Sequence, residues 1–157
     1  MVTIELAQSA DIDDLTRLNE IVHSIHVNNE PQRFKPTNPE EIHAWFKQSF
    51  NNDNGRIWIA REEGQAVGYV IAFLRDSPST PFAHSGRLCE LDQIVVAPSA
   101  RRQGVGRRLV QKVVFFAKDN EVARVQLTSW SFNEEAHRLF QDAGFETRRM
   151  TFDLRLS

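Results

Sequence analysis

The chain has 157 residues, of which 41% are hydrophobic and 25% charged, and we expect one globular domain over residues 1–157. Its 19 basic and 21 acidic residues give a formal net charge of −2, which argues against nucleic acid as a partner. The single cysteine, Cys89, excludes an internal disulfide, and no His and Cys residues have zinc-ligand spacing, so no metal is expected. Because neither a signal peptide nor a membrane-spanning apolar run is evident, we expect a cytoplasmic protein without a membrane partner.

The first half of the chain predicts a strand, two helices and a hairpin. The alternating stretch "VTIELA" (2–7) indicates a strand, and apolar residues at helical spacing follow over 9–26. After a polar, proline-containing loop, Asn38 and Pro39 are typical of the start of a second helix. "RIWIA" and "AVGYVIAFL" flank a glycine-containing turn, which predicts two antiparallel strands. The next stretch, "RDSPSTPFAHSG", is longer than a structural connection usually needs, and such loops often line a site.

The second half predicts alternating strands and helices. The strand "RLCELDQIVV" (87–96) leads into an amphipathic helix from Val105, and "ARVQLTSW" (123–130) indicates the next strand. "NEEAHRLFQDA" is a short helix ended by Gly144, and "FETRRMTFDLRL" (145–156) alternates as a final strand or hairpin arm. The order β-α-α-β-β-β-α-β-α-β predicts a mixed α/β sheet, whose last strand-helix-strand unit should be parallel and right-handed.

The junction after Val96 holds two glycines among several arginines. A glycine-rich turn that enters a helix directs backbone N–H groups and the positive helix end at one point, which favours an anion such as phosphate. Gly104 and Gly106 would let the backbone approach that anion. Local positive charge comes from Arg101, Arg102, Arg107 and Arg108. The stretch lacks both the Lys-Ser/Thr of a Walker loop and the third glycine of a dinucleotide fold, and a turn with packing glycines and solubilising arginines is the alternative.

The stretch Arg101-Arg102-Gln103-Gly104-Val105-Gly106 resembles the Gln/Arg-x-x-Gly-x-Gly/Ala signature of the GNAT superfamily of N-acetyltransferases, with "IVV" and "AP" before it as in that family. Downstream, "SWSFNEEAHRLFQDAGFE" resembles the family's second block, with an asparagine, an alanine, an aromatic residue and a closing Gly-Phe. The resemblance covers residues 87–157 well and earlier elements more loosely. It implies a GNAT-like α/β (α+β) fold, in which a mixed, mostly antiparallel sheet has helices on both faces and a parallel, splayed strand pair holds CoA.

The resemblance also implies acetyl-CoA as the acyl donor, with its pyrophosphate cradled by backbone amides after the strand. The cradle would consist of Arg101, Arg102, Gln103, Gly104, Val105, Gly106 and Arg107. The pantetheine arm would lie in the splay between the strand ending at Val96 and the strand ending near Trp130. Its contacts would come from Ile94, Val95, Val96, Asn133 and Phe140, with Phe140 beside the sulfur.

Acetyl transfer to an amine needs a base, a donor to the oxyanion and a proton for the leaving thiolate. Glu90 and Asp92 are the candidate bases, because they lie two apart on one strand and point to the same face. For each of them, an edge carboxylate paired with a nearby arginine is the alternative. The backbone N–H of Val96, exposed by a strand irregularity, is the candidate oxyanion donor.

The acid position departs from the family. Many relatives have a proton-donating tyrosine where this chain has Phe140, so Ser129, Ser131 or a water would deliver the proton. His84 in the long loop is a further candidate base or substrate contact. The residues and the resemblance together leave two functions open.

The first function is an acetyl-CoA-dependent N-acetyltransferase that acts by direct transfer on a primary amine of a small molecule or protein. Its acceptor contacts would come from "HVNNEPQRFKP" and "RDSPSTPFAHSG". The alternative is a non-catalytic acyl-CoA-binding module that acts through a partner. A homodimer is compatible with both.

Overall fold

The computed structural model describes residues 1–157 as one five-stranded sheet with four α-helices. The strands are β1 (Val2–Leu6), β2 (Gly55–Glu62), β3 (Gln65–Ser77), β4 (Gly86–Val96) and β5 (Val125–Gln126). The helices are α1 (Ile12–Asn29), α2 (Pro39–Ser49), α3 (Val105–Asp119) and α4 (Glu134–Asp142), with 3-10 turns at Ser9–Asp11 and Pro98–Ala100. None of the helices combines the length and apolar character that crossing a membrane requires.

The sheet is mixed and mostly antiparallel, as expected. Its strand order is β1-β2-β3-β4-β5; the first four strands pair antiparallel, and β5 pairs parallel to β4. The predicted hairpin between β2 and β3 forms around Glu63 and Gly64, whose φ values of 49° and 82° give the left-handed pair of a tight hairpin turn. This hairpin sets the register of the long central strand β3.

Helices cover both faces of the sheet. On one face, the fully buried Tyr69 of β3 contacts Asn19 of α1 and Phe46 of α2, with 3.0 Å between the Tyr69 hydroxyl and Asn19 Nδ2. On the other face, the ring of Trp58 on β2 lies 5.6 Å from that of Phe116 on α3. The apolar stripe predicted for the helix beginning at Val105 therefore packs against the sheet.

Local sequence signals set the start of α2 and the end of α4 where they were predicted, whereas α1, predicted over 9–26, is three residues further along the chain at both ends. The Asn38 side chain accepts hydrogen bonds from the N–H groups of Glu40 and Glu41, at 3.1 and 3.3 Å, and Pro39 occupies the first turn of α2. Gly144, at φ 95°, follows α4 in the left-handed region, as the sequence indicated.

One strand prediction was too long and another was wrong. β5 was predicted over 123–130 but contains only Val125–Gln126, because the chain leaves β4 after that point. The strand predicted over 145–156 does not form, because no strand in this chain lies beside it to accept its main-chain hydrogen bonds. The last strand-helix-strand unit is therefore absent, and the parallel pair is the preceding one, β4–α3–β5.

Candidate functional site

β4 and β5 separate soon after they pair. They are in register only at Cys89↔Val125 and Glu90↔Gln126, and the main chain of 127–129 makes no hydrogen bond. Towards its end, β4 is consequently bonded to β3 on one side and open on the other. The splay expected between these two strands is present.

Alternate residues of β4 direct their main-chain N–H and C=O groups towards its open side. The Ala97 N–H donates to the Val67 carbonyl at 2.7 Å, and hydrogen-bonded pairs alternate along an antiparallel ladder. The main-chain groups of Ile94 and Val96 therefore point into the gap, while those of Val95 point to β3. Of the three residues predicted to line the gap, Val95 is turned away.

The segment before α3 is a cluster of unpaired backbone donors. The N–H groups of residues 102–107 have no acceptor in the protein. Gly104 has φ 78°, and a Cβ built on it would meet nothing within 4 Å, so the backbone is open to a ligand there. These donors fit a pyrophosphate, since anions bind helix N-termini through such groups.

Gly106 has a different environment. A Cβ at Gly106 would lie 2.9 Å from the Leu139 side chain of α4, so this glycine permits close packing of α3 on α4. The absence of a side chain at Gly106 therefore serves this packing, while its N–H remains one of the unpaired donors before α3. The packing also positions α4, which carries Phe140.

The four arginines of the turn do not act as one cluster. Arg101 donates through Nε to the Val96 carbonyl at 3.2 Å and lies 3.4 Å from Glu135 of α4. Arg108 donates to the Val2 carbonyl of β1 at 2.8 Å, so its guanidinium is directed away from the turn. Arg102 and Arg107 are exposed, as is Gln103, whose side chain donates to the Ser99 carbonyl.

Glu90 and Asp92 lie near each other despite an irregularity between them. Ala72 pairs with Leu91 and Ile71 with Gln93, so Asp92 is an extra residue in β4. The strand irregularity expected at Val96 is therefore at Asp92, and the outward direction of the Val96 N–H comes from ordinary ladder alternation. Asp92 lines a depression of about 240 Å³ with Trp45 and Arg75.

The two carboxylates differ in their charge environment. Partial burial in the depression and the neighbouring Glu90 raise the pKa of Asp92 to about 6, against the opposing pull of Arg75. Arg75 is paired with Glu90, with 3.1 Å between Nε and Oε2. Glu90 thus has an arginine partner, which was the alternative weighed for it, while Asp92 is poised to exchange a proton near neutral pH.

A buried hydrogen-bond network holds β4 beside Asp92. Tyr69 donates to Gln93 Oε1 at 2.7 Å, and Asn19 of α1 donates to the same oxygen at 3.1 Å. Sequence reasoning missed these residues and also Arg75. Only the strand register brings Tyr69 and Arg75 beside β4, and a single sequence carries no signal of register here.

Helix α4 places Phe140 in the interior, with 8% of it exposed and its ring centroid 5.9 Å from that of Phe145. Asn133 precedes the helix, and its side chain makes no capping hydrogen bond. Ser129, a candidate proton donor, lies 3.1 Å from His137 Nε2 of α4. His137 was not singled out in the sequence.

The two predicted acceptor loops differ in their contacts. Phe34, after α1, stacks on His26 at 5.0 Å and meets Trp130 edge to face at 5.6 Å, so this loop packs on the segment beyond β5. Burial and the neighbouring His23 lower the pKa of His26. His84 lies in the exposed loop 78–85, and its side chain takes part in no hydrogen bond or ion pair.

Comparison with known proteins connects this geometry to a family. The family model "Acetyltransferase (GNAT) family" matches residues 19–145. N-acetyltransferase family 8 member 2 of Rattus norvegicus is 31% identical over 104 residues, 66% of this chain and 44% of the rat protein. The chain spans less than half the length of the mammalian relatives that it matches.

Solved structures share the fold. A tetramutant of the BH1408 protein from Bacillus halodurans superposes with a TM-score of 0.92 at 22% identity, covering 98% of this chain and 99% of that one. An aminoglycoside N-acetyltransferase in complex with CoA superposes with a TM-score of 0.80 at 18% identity, covering 99% and 95%. Together with the family match over most of its length, these findings show that the chain belongs to the GNAT family of acetyltransferases.

Proposed function

We propose that this protein transfers an acetyl group from acetyl-CoA directly to a primary amine of a small molecule or protein, within one domain spanning residues 1–157. The observation that carries the proposal is the acid pair on β4. Asp92, with its pKa raised to about 6, faces an open depression beside Glu90, on the strand that opens towards β5. A module that only binds an acyl-CoA has no need of such a pair.

Asp92 is the base in this proposal. An alkyl ammonium has a pKa of about 10.4, so the acceptor must lose a proton before its nitrogen can attack. Because the pKa of Asp92 is about 6, its carboxylate is ionised at pH 7 to 8 and accepts that proton through a water. Glu90, held by Arg75, keeps the pKa of Asp92 high by like charge.

The cradle before α3 holds the donor in this proposal. The unpaired N–H groups of 102–107 and the positive end of α3 bind the pyrophosphate. Ile94 and Val96 bond the pantetheine arm along the gap, and Asn133 contacts the same arm. Bound acetyl-CoA would supply the thioester: the amine nitrogen adds to its carbonyl carbon, and the C–S bond then breaks to release CoA as a thiolate, which takes up a proton from water. The Val96 N–H stabilises the oxyanion.

The alternative, a non-catalytic acyl-CoA-binding module, is favoured by Phe140. Its ring has no proton to give to a leaving thiolate, and such an acid contributes up to about 10²- to 10⁴-fold. A thiol has a pKa of about 8.5, however, so a thiolate leaves tolerably without an acid. We therefore retain the enzyme as the proposed function.

The deciding experiment measures thiol release from acetyl-CoA with a panel of amines, polyamines, aminoglycosides and peptides. We expect at least one amine to accelerate release, with the acetylated amine detected by mass spectrometry. Asp92→Asn should lose most of that rate, and Asp76→Asn, on neighbouring β3 and paired with Arg87, is the matched control. Tight acetyl-CoA binding without amine-dependent release across the panel would identify the binding module.

A further inference from the structure

Arg33, in the loop that follows α1, carries a positive charge that no anionic group of the protein neutralises. Its side chain is exposed and makes no hydrogen bond or ion pair, although Glu30 lies only three residues before it. The neighbouring cation of the same loop, Lys35, is by contrast paired with Glu41 at 3.7 Å. The N–H donors of the Arg33 guanidinium are therefore open to an anion from outside the chain.

Two aromatic rings hold the Arg33 guanidinium in place. Its Cζ lies 5.8 Å from the ring centroid of Phe34 and 5.4 Å from that of Trp130. A guanidinium that lies over a ring uses its face, so the N–H groups at its edge remain able to bind a carboxylate through two parallel hydrogen bonds. The loop backbone is fixed as well, because the N–H groups of Arg33 and Phe34 donate to the Glu30 carbonyl, at 3.1 and 3.0 Å. This positive charge is thus positioned before any ligand arrives.

The two rings belong to a larger aromatic surface between α1 and the segment after β5, which consists of His26, Phe34, Trp130 and Phe132. Trp130 stacks on Phe132 with 5.9 Å between their centroids, and His26 stacks on Phe34 at 5.0 Å. All four rings are half-buried, so part of each is open to solvent. Half-open rings beside a polar group are suited to the apolar part of a small molecule.

The aromatic surface begins about two helical turns from the candidate base. Asn19 of α1 donates at 3.1 Å to the side chain of Gln93, the residue after Asp92. His26 lies seven residues further along the same face of α1, or about 10 Å along the helix axis. Trp130 lies just beyond the unbonded segment 127–129, which borders the gap for the donor. A molecule whose amine is at Asp92 would therefore extend towards the aromatic surface.

We propose that the acceptor is a small amine that also carries a carboxylate, an amino acid or a short peptide, and that Arg33 binds this carboxylate while the amine lies at Asp92. The inference rests on the proposed acetyl transfer and names the acceptor class for it. The two ends of the site have opposite charges, with Glu90 and Asp92 at one end and Arg33 at the other. This arrangement complements the ammonium and the carboxylate of a zwitterion.

The charge and the length of the acceptor follow from the same groups. Arg33 is a single unpaired cation, which matches the one negative charge of a carboxylate better than the roughly two charges of a phosphate at neutral pH. An extended peptide spans about 3.5 Å per residue, so two or three residues cover about 10 Å. We therefore expect a dipeptide or a tripeptide to span the distance from Asp92 to Arg33.

The test compares the free acids of glycylphenylalanine and glycylglycylphenylalanine with their C-terminal amides. Each pair differs only in the carboxylate charge, and the phenyl ring is offered to the aromatic surface. We expect wild-type kcat/KM to be about 10-fold or more higher for the free acid, mainly through KM, because the amide loses a charge-assisted hydrogen bond. In Arg33→Gln the preference should fall to within about threefold, and Arg33→Lys should retain part of it.

Arg56→Gln is the matched control. Arg56 is also an exposed arginine over an aromatic ring, 5.3 Å from the centroid of Phe116, but it lies on the α3 side of the sheet. Its replacement should leave the preference for the free acid in place. Circular dichroism melts check that each variant is folded.

Binding without turnover separates this inference from the proposed function. Calorimetry with the CoA-saturated protein measures the affinity for each acid and amide whether or not transfer occurs. CoA release from acetyl-CoA without a preference for the acid, or with a preference that survives in Arg33→Gln, overturns the inference and leaves the acetyl transfer standing. A preference in binding that Arg33→Gln removes, without any transfer, supports the Arg33 contact and refutes the acetyl transfer. Failure of the wild type to bind either acid also overturns the inference.

Discussion

Arg75 donates to Glu90 across the β3–β4 ladder, with 3.1 Å between Nε and Oε2, and its guanidinium also lies 4.8 Å from the ring centroid of Phe73. The same positive charge opposes the rise in the pKa of Asp92. Arg75 therefore connects the two candidate bases, since it pairs with one carboxylate and lowers the pKa of the other.

Replacing Arg75 should move the pH dependence of acetyl transfer. In Arg75→Gln the Asp92 carboxyl loses the charge that favours its ionised form, so its pKa rises above 6 and the rising limb of kcat/KM moves to higher pH. Steady-state rates between pH 5 and 9 measure this. Arg87→Gln, which breaks the ion pair with Asp76 further along the same strands, should leave the midpoint in place. A midpoint that moves to lower pH in Arg75→Gln contradicts the assignment.

Asp92 should destabilise the folded protein at neutral pH. Its folded-state pKa of about 6 lies above the usual 3.8, so between these pH values the native state binds more protons than the unfolded state. The free energy of unfolding therefore falls as the pH rises from about 4 to about 6. Asp92→Asn should therefore raise Tm at pH 8 and change it little at pH 4. Because Asp92 remains exposed to solvent, we expect about 1 kcal/mol or less, or roughly 2–4 °C. A larger Tm gain at pH 4 than at pH 8 would reverse the sign and rule out this explanation.

Gly104 should be required for donor binding. In Gly104→Val, the side chain projects into the open space above the unpaired N–H groups, so acetyl-CoA affinity should fall at least about 10-fold. The left-handed φ of 78° adds about 1–2 kcal/mol of folding cost for a non-glycine residue.

Two controls accompany that measurement by calorimetry. Gln103→Ala changes an exposed neighbour without altering the backbone, and should bind within a few-fold of wild type. Gly106→Ala should lower Tm through its contact with Leu139, rather than by covering the cradle. A folded Gly104→Val protein with wild-type affinity would place the donor elsewhere.

Phe140→Tyr should change turnover only a few-fold. The ring is 8% exposed and packs on Phe145, so one hydroxyl is the main change, and thiolate departure is already tolerable at a thiol pKa of about 8.5. The measurement is kcat at saturating acetyl-CoA, with Phe145→Tyr as a matched aromatic control. A gain of about 10²-fold would show that thiolate protonation limits the natural protein. If the wild type is inactive and Phe140→Tyr is active, the binding-module alternative is favoured for the natural protein.

Local signals were sufficient to predict the four helices and the strands β1 to β4. Asn38 and Pro39 mark the start of α2 because capping is decided by adjacent residues, and the same holds for the turn at Gly64. The strand predicted over 145–156 failed for the opposite reason. Alternation makes a segment able to form a strand, but a strand needs a partner, and pairing is not a local property.

The parts of the candidate site that belong to a sequence motif could be predicted. The parts that depend on contacts between distant segments of the chain could not. The turn 101–107 and the acid pair follow from consecutive residues on one strand and the helix after it. Gly106 looked like a second open glycine, but its neighbour Leu139 lies 33 positions further along the chain. Arg75 and the Tyr69–Gln93 network likewise depend on the β3–β4 register, including the extra residue at Asp92.

The most direct test of the central claim is the pH dependence of amine acetylation in wild type, Glu90→Gln and Asp92→Asn, followed by CoA release with the best amine of the panel. We predict that the wild-type rate rises with pH with a midpoint near 6, below the pH at which the amine itself loses its proton. Asp92→Asn should abolish this rise of rate near pH 6. Its acetyl-CoA affinity should stay within about threefold of wild type. Glu90→Gln should shift the midpoint to lower pH, since it removes the neighbouring negative charge. An unchanged profile in both variants would contradict the account and move the base to a residue outside β4.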